Sequence, residues 1–189
     1  MFSQTMIAME NKKNILVING SASVRSSNER LIERFRRAMD GDNEVKVWPD
    51  LKSLPHFDPE LSVGDVPAEV GALREAIDGA DGVVICTPEY IFSIPSGLKN
   101  VLEWCVATTI FTNKPVGIIT AAAQGEKGHE ELQLIMQKLM ARLSDETSLL
   151  IQGIKGKIDT NGEFIDEKTQ EVFERFVDSF RRLVLDSGR

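Results

Sequence analysis

The sequence has few of the residues that build disulfide frameworks and metal centres. Its 189 residues include only two cysteines and two histidines. Cys86 and Cys105 do not form a Cys-x-x-Cys pair. Neither His56 nor His129 has a second histidine or a carboxylate at metal-ligand spacing. We therefore predict reduced thiols buried as small apolar side chains, no metal site, and a reducing, cytoplasmic location.

The sequence also lacks an excess of positive charge and any long apolar run. The 22 lysines and arginines are outnumbered by 29 aspartates and glutamates, so the formal net charge is −7. This balance provides no basic field for nucleic acid or an anionic membrane, and no apolar run approaches the roughly 20 residues of a membrane span. Residues 1–14 lack the apolar core of a secretory signal. We predict a mobile or disordered tail over residues 1–13 and one domain over residues 14–189.

What the sequence does contain is a regular alternation of apolar segments with two different periods. Short runs typical of buried strands occupy residues 15–19, 45–48, 83–87, 115–120 and 148–151. Apolar residues at helical spacing lie between and after these runs. This alternation predicts an α/β fold with a parallel sheet covered on both faces. The expected architecture is a flavodoxin-like three-layer sandwich with five strands in the order 2-1-3-4-5.

The loop after the first strand is a candidate anion site, because ligands in such sheets bind outside the carboxyl ends of the strands. Hydroxyl groups and an arginine lie there just before a helix, where free backbone N–H groups and the helix dipole favour an anion. An ordinary Ser-rich helix cap is the alternative interpretation. The loop matches neither a P-loop nor a Gly-x-Gly-x-x-Gly fingerprint, so a single phosphate, as in a mononucleotide such as FMN, is the better prediction. The predicted phosphate-binding residues are Ser21, Ser23, Arg25, Ser26, Ser27 and Asn28.

The loops after the third and fourth strands complete the candidate site. The first of them carries Tyr90 and Phe92 on a proline-bounded segment that should face solvent, which suits stacking against a planar ring. Packing on the domain itself or on another subunit is the alternative. The second loop is predicted over residues 121–128, and its small residues suit either close approach to a ligand or a flexible connection. The predicted contacts are Pro88, Glu89, Tyr90, Ile91, Phe92 and Ser93, together with Ala122, Ala123, Gln124 and Gly125.

The loop after the third strand also contains the most specific motif in the chain. Thr87-Pro88-Glu89-Tyr90, followed by Ser93-Ile94-Pro95 and Leu98-Lys99-Asn100, resembles the hallmark of the NADPH-dependent FMN reductase family, which includes quinone, azo-dye and chromate reductases. The first loop is similar to the family's Gly-Ser-x-Arg-x-x-Ser-x-Asn phosphate loop through Gly20, Ser21, Ser26 and Asn28. The likeness extends over about residues 15–184.

Three positions depart from the family pattern. Ile91 and Ser96 stand where the family has Asn and Gly. Ser23 stands where Arg is usual, and Arg25 follows two residues later. A polar contact near the flavin is therefore expected to be absent at position 91.

The resemblance implies an enzyme that binds FMN non-covalently, with the phosphate on the first loop and the ring between the second and third loops. NADPH or NADH would serve as co-substrate, and a quinone or similar small molecule would be the electron acceptor. The resemblance also implies a homodimer or homotetramer. A flavodoxin-like electron carrier and a non-enzymatic flavin-binding domain are the alternatives that the sequence leaves open.

Two further expectations concern residues outside the motifs. The segment with Trp104, Val106, Ile110 and Phe111 has more apolar surface than one helix face requires, which predicts a subunit contact. A surface or capping role is expected for both His56 and His129, and His129 is the better placed of the two to touch a nicotinamide phosphate or a substrate.

Overall fold

The computed structural model confirms the predicted α/β architecture. It describes residues 12–23, 26–41 and 43–188, so most of the predicted N-terminal tail and the predicted phosphate ligand Arg25 lie outside the described residues. All strand pairs are parallel, and the sheet has the predicted order β2-β1-β3-β4-β5. The strands are β1 (Lys13–Asn19), β2 (Asn43–Val47), β3 (Gly82–Thr87), β4 (Val116–Ala122) and β5 (Ser148–Gln152).

Helices cover both faces of the sheet and form two separate cores with it. In the described part of the chain these are α1 (Ser27–Met39), α2 (Ala68–Asp78), α3 (Ser96–Cys105), α4 (Glu126–Lys138) and α5 (Glu167–Leu185). The apolar residues of α2, α3 and α4 pack on one face, and those of α1 and α5 pack on the other. Successive residues of a strand point to opposite faces. Val83 and Ile85 therefore enter the first core, whereas Val84 and Cys86 enter the second.

The connection between β4 and α4 is shorter than predicted. β4 continues to Ala122 and α4 begins at Glu126, so only residues 123–125 join them. Gly125 permits this tight connection, because its φ of 94° lies in the left-handed region that residues with a Cβ rarely adopt. The small residues predicted as one loop thus belong partly to the strand and partly to the helix.

The apolar residues at and after the end of α3 are used within the domain, which corrects the basis of the predicted subunit contact. Trp104 and Phe111 are fully buried. The irregular segment after β2 covers this region: Phe57 packs edge-on against Trp104, with ring centroids 5.3 Å apart. Trp104 Nε1 also donates a hydrogen bond to the Pro55 carbonyl oxygen at 2.8 Å. Only Val106 of this set remains largely exposed, at 64%.

Both cysteines are buried free thiols, as predicted. Burial raises the pKa of Cys86, and it raises the pKa of Cys105 to about 12 against a smaller opposing effect of Arg74. Both thiols therefore stay protonated at neutral pH and are poor nucleophiles.

His129 is an interior residue, which corrects the expectation of a surface or capping role. It lies in the first part of α4, is only 9% exposed, and faces the sheet. Its Nδ1 is 2.8 Å from Thr120 Oγ1, and its Nε2 is 3.4 Å from Ser148 Oγ. Burial lowers the pKa of His129, against a smaller opposing effect of Glu130. The side chain is therefore held as a neutral imidazole between two hydroxyl groups.

We expect His129 to make the protein less stable as the pH falls from 7.5 to 5.5. The unfolded-state pKa is about 6.5 and the native-state pKa is lower, so the unfolded chain binds the proton first and stability is lost with falling pH. Denaturant unfolding at several pH values should show a loss from this group of at most about 1.4 kcal/mol per pH unit. The loss should shrink in His129→Gln and persist in His56→Gln, which changes the exposed histidine. An unchanged pH slope in His129→Gln would contradict this assignment.

Candidate functional site

The carboxyl ends of β1 and β3 lie against each other at the point where the strand order reverses. Gly20, directly after β1, donates its amide to the Cys86 carbonyl oxygen at 2.8 Å. A Cβ at Gly20 would lie 2.5 Å from Thr87 Oγ1, so only glycine permits this close approach. The loops that follow the two strands therefore start side by side, at the position where ligands bind in open parallel sheets.

The loop after β1 places hydroxyl groups around the N-terminal end of α1. Ser26 is the N-cap of the helix, and its Oγ accepts a hydrogen bond from the Glu29 amide at 3.2 Å. Ser21 Oγ likewise accepts from the Ser23 amide at 3.2 Å. Because each oxygen is the acceptor in these contacts, its proton can still be donated to a ligand. The helix cap and the anion site, weighed above as alternatives, are thus compatible in the same residues.

Asn28 connects α1 to two strands of the sheet. Its side chain is buried, and Nδ2 donates to the Ala121 carbonyl oxygen at 3.2 Å. The Cys86 thiol lies 3.4 Å from Asn28 Oδ1. Of the predicted phosphate ligands, Asn28 can therefore offer its backbone amide, while its side chain anchors the start of the helix.

The loop after β3 forms a tight turn that exposes large apolar side chains. Tyr90 N donates to Ser93 O at 2.9 Å, and Ser93 N donates to Tyr90 O at 3.2 Å. Between them, Ile91 and Phe92 have φ angles of 51° and 58°, which are left-handed values at both central positions, as in a type I′ turn. Ile91 is 94% exposed and Phe92 is 69% exposed.

The conformation of this turn gives the departure at position 91 a backbone explanation. A β-branched residue such as Ile91 is unusual at positive φ and is strained by roughly 1–2 kcal/mol. Asn adopts the same conformation much more readily. The Asn of the family pattern therefore suits the apex of the turn for conformational reasons alone.

Glu89 uses its carboxylate to cap the N-terminal end of α4. Oε1 accepts a hydrogen bond from the Gly125 amide at 3.2 Å, and Oε2 accepts from the Gly128 amide at 2.8 Å. A negative charge at this end of the helix also interacts favourably with the helix dipole. Gly128 allows the close packing, since a Cβ there would lie 3.3 Å from Ser93 O. The second and third predicted loops are thus joined through this side chain.

Glu131, which the sequence analysis missed, fastens the same loop from further along α4. Its Oε2 accepts from the Ser93 hydroxyl at 2.7 Å and from the Ile94 amide at 3.0 Å. Its Oε1 pairs with Lys99 Nζ at 3.1 Å. Burial opposes the ionisation of Glu131, but the three partners outweigh it and lower its pKa. No local pattern distinguishes this glutamate, because carboxylates are common near helix N-termini.

A cleft of about 240 Å³ is lined by the first loop, the turn and the segment after β2. Tyr90 and residues 48–52 contribute to its wall. The Trp48 amide donates to the Val17 carbonyl oxygen at 2.8 Å, so the chain leaves β2 at the same edge of the sheet as the other loops. Sequence analysis placed Trp48 at the end of the second strand and assigned residues 48–52 no part in the site, whereas the strand ends at Val47 and Trp48 directly follows it. The remaining lining residues are Asn19, Gly20, Ser21, Ala22, Pro95, Ser96 and Gly97.

The predicted third loop lies at the same edge of the sheet but does not line this cleft. Ala122 is buried at the end of β4, whereas Ala123 and Gln124 are exposed. Gly125 connects this loop to the turn through Glu89. The structure therefore brings the three predicted loops together at one edge, where Glu89 joins the turn to the β4–α4 connection.

Within the described ranges, no cluster of three or more His, Cys, Asp or Glu residues is placed to hold a metal ion. No helix in that part of the chain is both long enough and apolar enough to cross a membrane.

Comparison with known proteins identifies the family. The family model described as NADPH-dependent FMN reductase matches residues 13–149. The NADH:(hydroxy)cinnamate reductase subunit CrdA of Vibrio ruber is 33% identical over 175 residues, which cover 87% of this chain and 85% of that protein. A quinone reductase of Escherichia coli K12 is 32% identical over 168 residues, covering 85% and 89%.

A solved structure shares the fold. The flavoenzyme NAD(P)H:(acceptor) oxidoreductase FerB from Paracoccus denitrificans aligns with a TM-score of 0.81 at 24% identity, covering 92% of this chain and 98% of that one. The family model matches well over half of the chain, and the two relatives named above exceed 30% identity across most of its length. On this evidence, the chain belongs to the NADPH-dependent FMN reductase family.

Proposed function

We propose that this protein is an NAD(P)H-dependent oxidoreductase that passes hydride through bound FMN to quinones or similar small acceptors. Membership of the family supports the use of FMN and a nicotinamide co-substrate. The names of the relatives support the acceptor class, since they include quinone reductase and, at 28% identity, 2-hydroxy-1,4-benzoquinone reductase. The observation that carries the proposal is the donor-rich start of α1 beside an exposed apolar turn at the switch point of the sheet.

The residues at this edge fit FMN by their chemistry. The phosphate would bind to the hydroxyls of the first loop and the first-turn amides of α1, where the helix dipole favours an anion. Residues 88–93 and 122–125 would hold the ring. FMN, when bound, supplies the hydride-transfer chemistry, and the protein supplies binding, orientation and electrostatics.

The chain contributes two kinds of group to such a reaction. Backbone N–H groups of Glu89, Ile91, Phe92, Ala123 and Gln124 can donate to the polar edge of the ring, and donors aimed at developing negative charge favour its reduced form. Ile91 and Phe92 add exposed apolar surface, which suits a planar aromatic acceptor.

The enzyme is better supported than the electron-carrier and flavin-binding alternatives. The matching family is described as a reductase, and the Vibrio ruber and Escherichia coli relatives are both named as reductases. No comparable observation favours an electron carrier or a regulatory domain.

Purified protein should be yellow, release a chromophore that behaves as FMN, and oxidise NADPH or NADH in the presence of a benzoquinone. Steady-state absorbance at the nicotinamide band measures the turnover, with protein omitted as the control. Bound FMN without any oxidation of NADPH or NADH would favour the electron carrier. Absence of any bound flavin would refute the proposal.

Removing the hydroxyls of Ser21 and Ser26 together should weaken FMN far more than riboflavin. A charge-assisted hydrogen bond contributes about 1.5–3 kcal/mol, so the double Ala variant should lose at least about tenfold in FMN affinity. Fluorescence titration with both ligands measures this difference, and the riboflavin arm accounts for the lost helix cap. Ser187→Ala, at the opposite end of the chain, is the control. Equal losses for FMN and riboflavin would defeat the phosphate assignment.

We also propose a homodimer or homotetramer. Ile91, Phe92 and Val106 expose large apolar side chains that a second copy of the chain can cover. Light scattering at micromolar concentration should therefore report a multiple of the 21.0 kDa chain mass. A monomer mass across that range would end this proposal.

A further inference from the structure

The turn from Tyr90 to Ser93 needs support from outside itself. Two backbone hydrogen bonds stabilise the turn. The left-handed conformations at Ile91 and Phe92 oppose them, because their strain energy is of the same order as the energy that such hydrogen bonds contribute. The two central side chains are exposed, so their own packing does little to hold the turn. A strained turn of this kind persists when contacts with neighbouring parts of the protein hold it in place.

Glu131 provides such support on the C-terminal side of the turn. A single oxygen, Oε2, accepts from both the Ser93 hydroxyl and the Ile94 amide. Hydrogen bonds to an ionised carboxylate are stronger than neutral ones, and the lowered pKa of Glu131 keeps it ionised at neutral pH. Ile94 is itself buried, so the carboxylate acts where the turn joins the core.

We propose that Glu131 is a positioning residue, which holds the strained turn against α4 and thereby sets the place of Tyr90, Ile91 and Phe92 beside the flavin. The last part of this inference rests on the proposed function. The clamp itself rests only on contacts within the protein. Tyr90 lines the cleft, so displacement of the turn would change the cleft directly.

Two substitutions separate the contacts of the turn from the ion pair with Lys99. Glu131→Gln retains a carbonyl oxygen that can take the place of Oε2 and accept from Ser93 and Ile94, while it loses the pair with Lys99. Glu131→Ala loses all three contacts. Glu130→Ala is the matched control, because Glu130 is adjacent on α4 and pairs with the exposed Lys127 at 2.8 Å.

Amide hydrogen exchange in flavin-free protein tests the clamp. In Glu131→Ala we expect the amides of Ser93 and Ile94 to exchange at least about tenfold faster, because the loss of one charge-assisted hydrogen bond changes an opening equilibrium by about that factor. Amides of β3 should exchange as in the wild type, which separates local release of the turn from general destabilisation. Glu130→Ala should remain within about twofold of the wild type on the same scale. Glu131→Gln keeps the acceptor but not the charge, so its exchange rates should lie between those of the wild type and Glu131→Ala.

FMN titration and a rescue variant test the positioning role. Glu131→Ala should weaken FMN binding at least about fivefold, again on the scale of lost hydrogen bonds. Adding Ile91→Asn, which relieves strain at the apex, should recover at least half of that loss on a logarithmic scale. If Glu131 only stabilised α4, the substitution Ile91→Asn would not restore FMN binding in the Glu131→Ala variant.

Several results would overturn the inference. Unchanged exchange at Ser93 and Ile94 in Glu131→Ala would refute the clamp, and so would an equally large effect in Glu131→Gln. Unchanged FMN affinity, or no rescue by Ile91→Asn, would refute the positioning role. Wild-type protein that binds no FMN would refute the proposed function and the positioning role with it, while the exchange measurement would still decide the clamp.

Discussion

Burial of a parallel sheet on both faces is the constraint on which the rest of this structure depends. Parallel strands must be joined by crossovers, so each chain segment leaves the sheet at the carboxyl edge and returns at the other. β3 is buried along its whole length, and two cores lie on its two sides. Packing thereby occupies the faces of the sheet, and the loops at the carboxyl edge are left to contact a ligand.

Polar side chains then hold those loops to one another. Asn28 joins α1 to β4, Glu89 joins the turn after β3 to the start of α4, and Glu131 joins the same turn to the next part of that helix. Each of them satisfies backbone groups that regular secondary structure leaves unpaired. An unsatisfied buried donor costs more than an average hydrogen bond contributes, so these contacts constrain the loops more than their number suggests.

The replacement of the family's Asn by Ile at position 91 has a different interpretation once the backbone conformation is known. In the sequence, Ile in place of Asn indicates a missing polar contact near the flavin. In the structure, Ile91 stands at the exposed apex of a turn with positive φ at both central residues. The difference therefore concerns the conformational preference of the backbone, because Asn and a β-branched residue differ most in the left-handed region.

The sequence by itself determined the fold class, the strand order and the edge of the sheet where the candidate site lies. Apolar periodicity reports burial directly, and the handedness of crossovers leaves few topologies for five alternating strands. It also determined the family, since the motif after β3 is specific. Only the tertiary structure decided that His129 is interior, that Trp104 belongs to the core and that Glu131 fastens the turn. These properties depend on which surfaces meet when distant segments dock, and a local sequence pattern contains no record of those contacts.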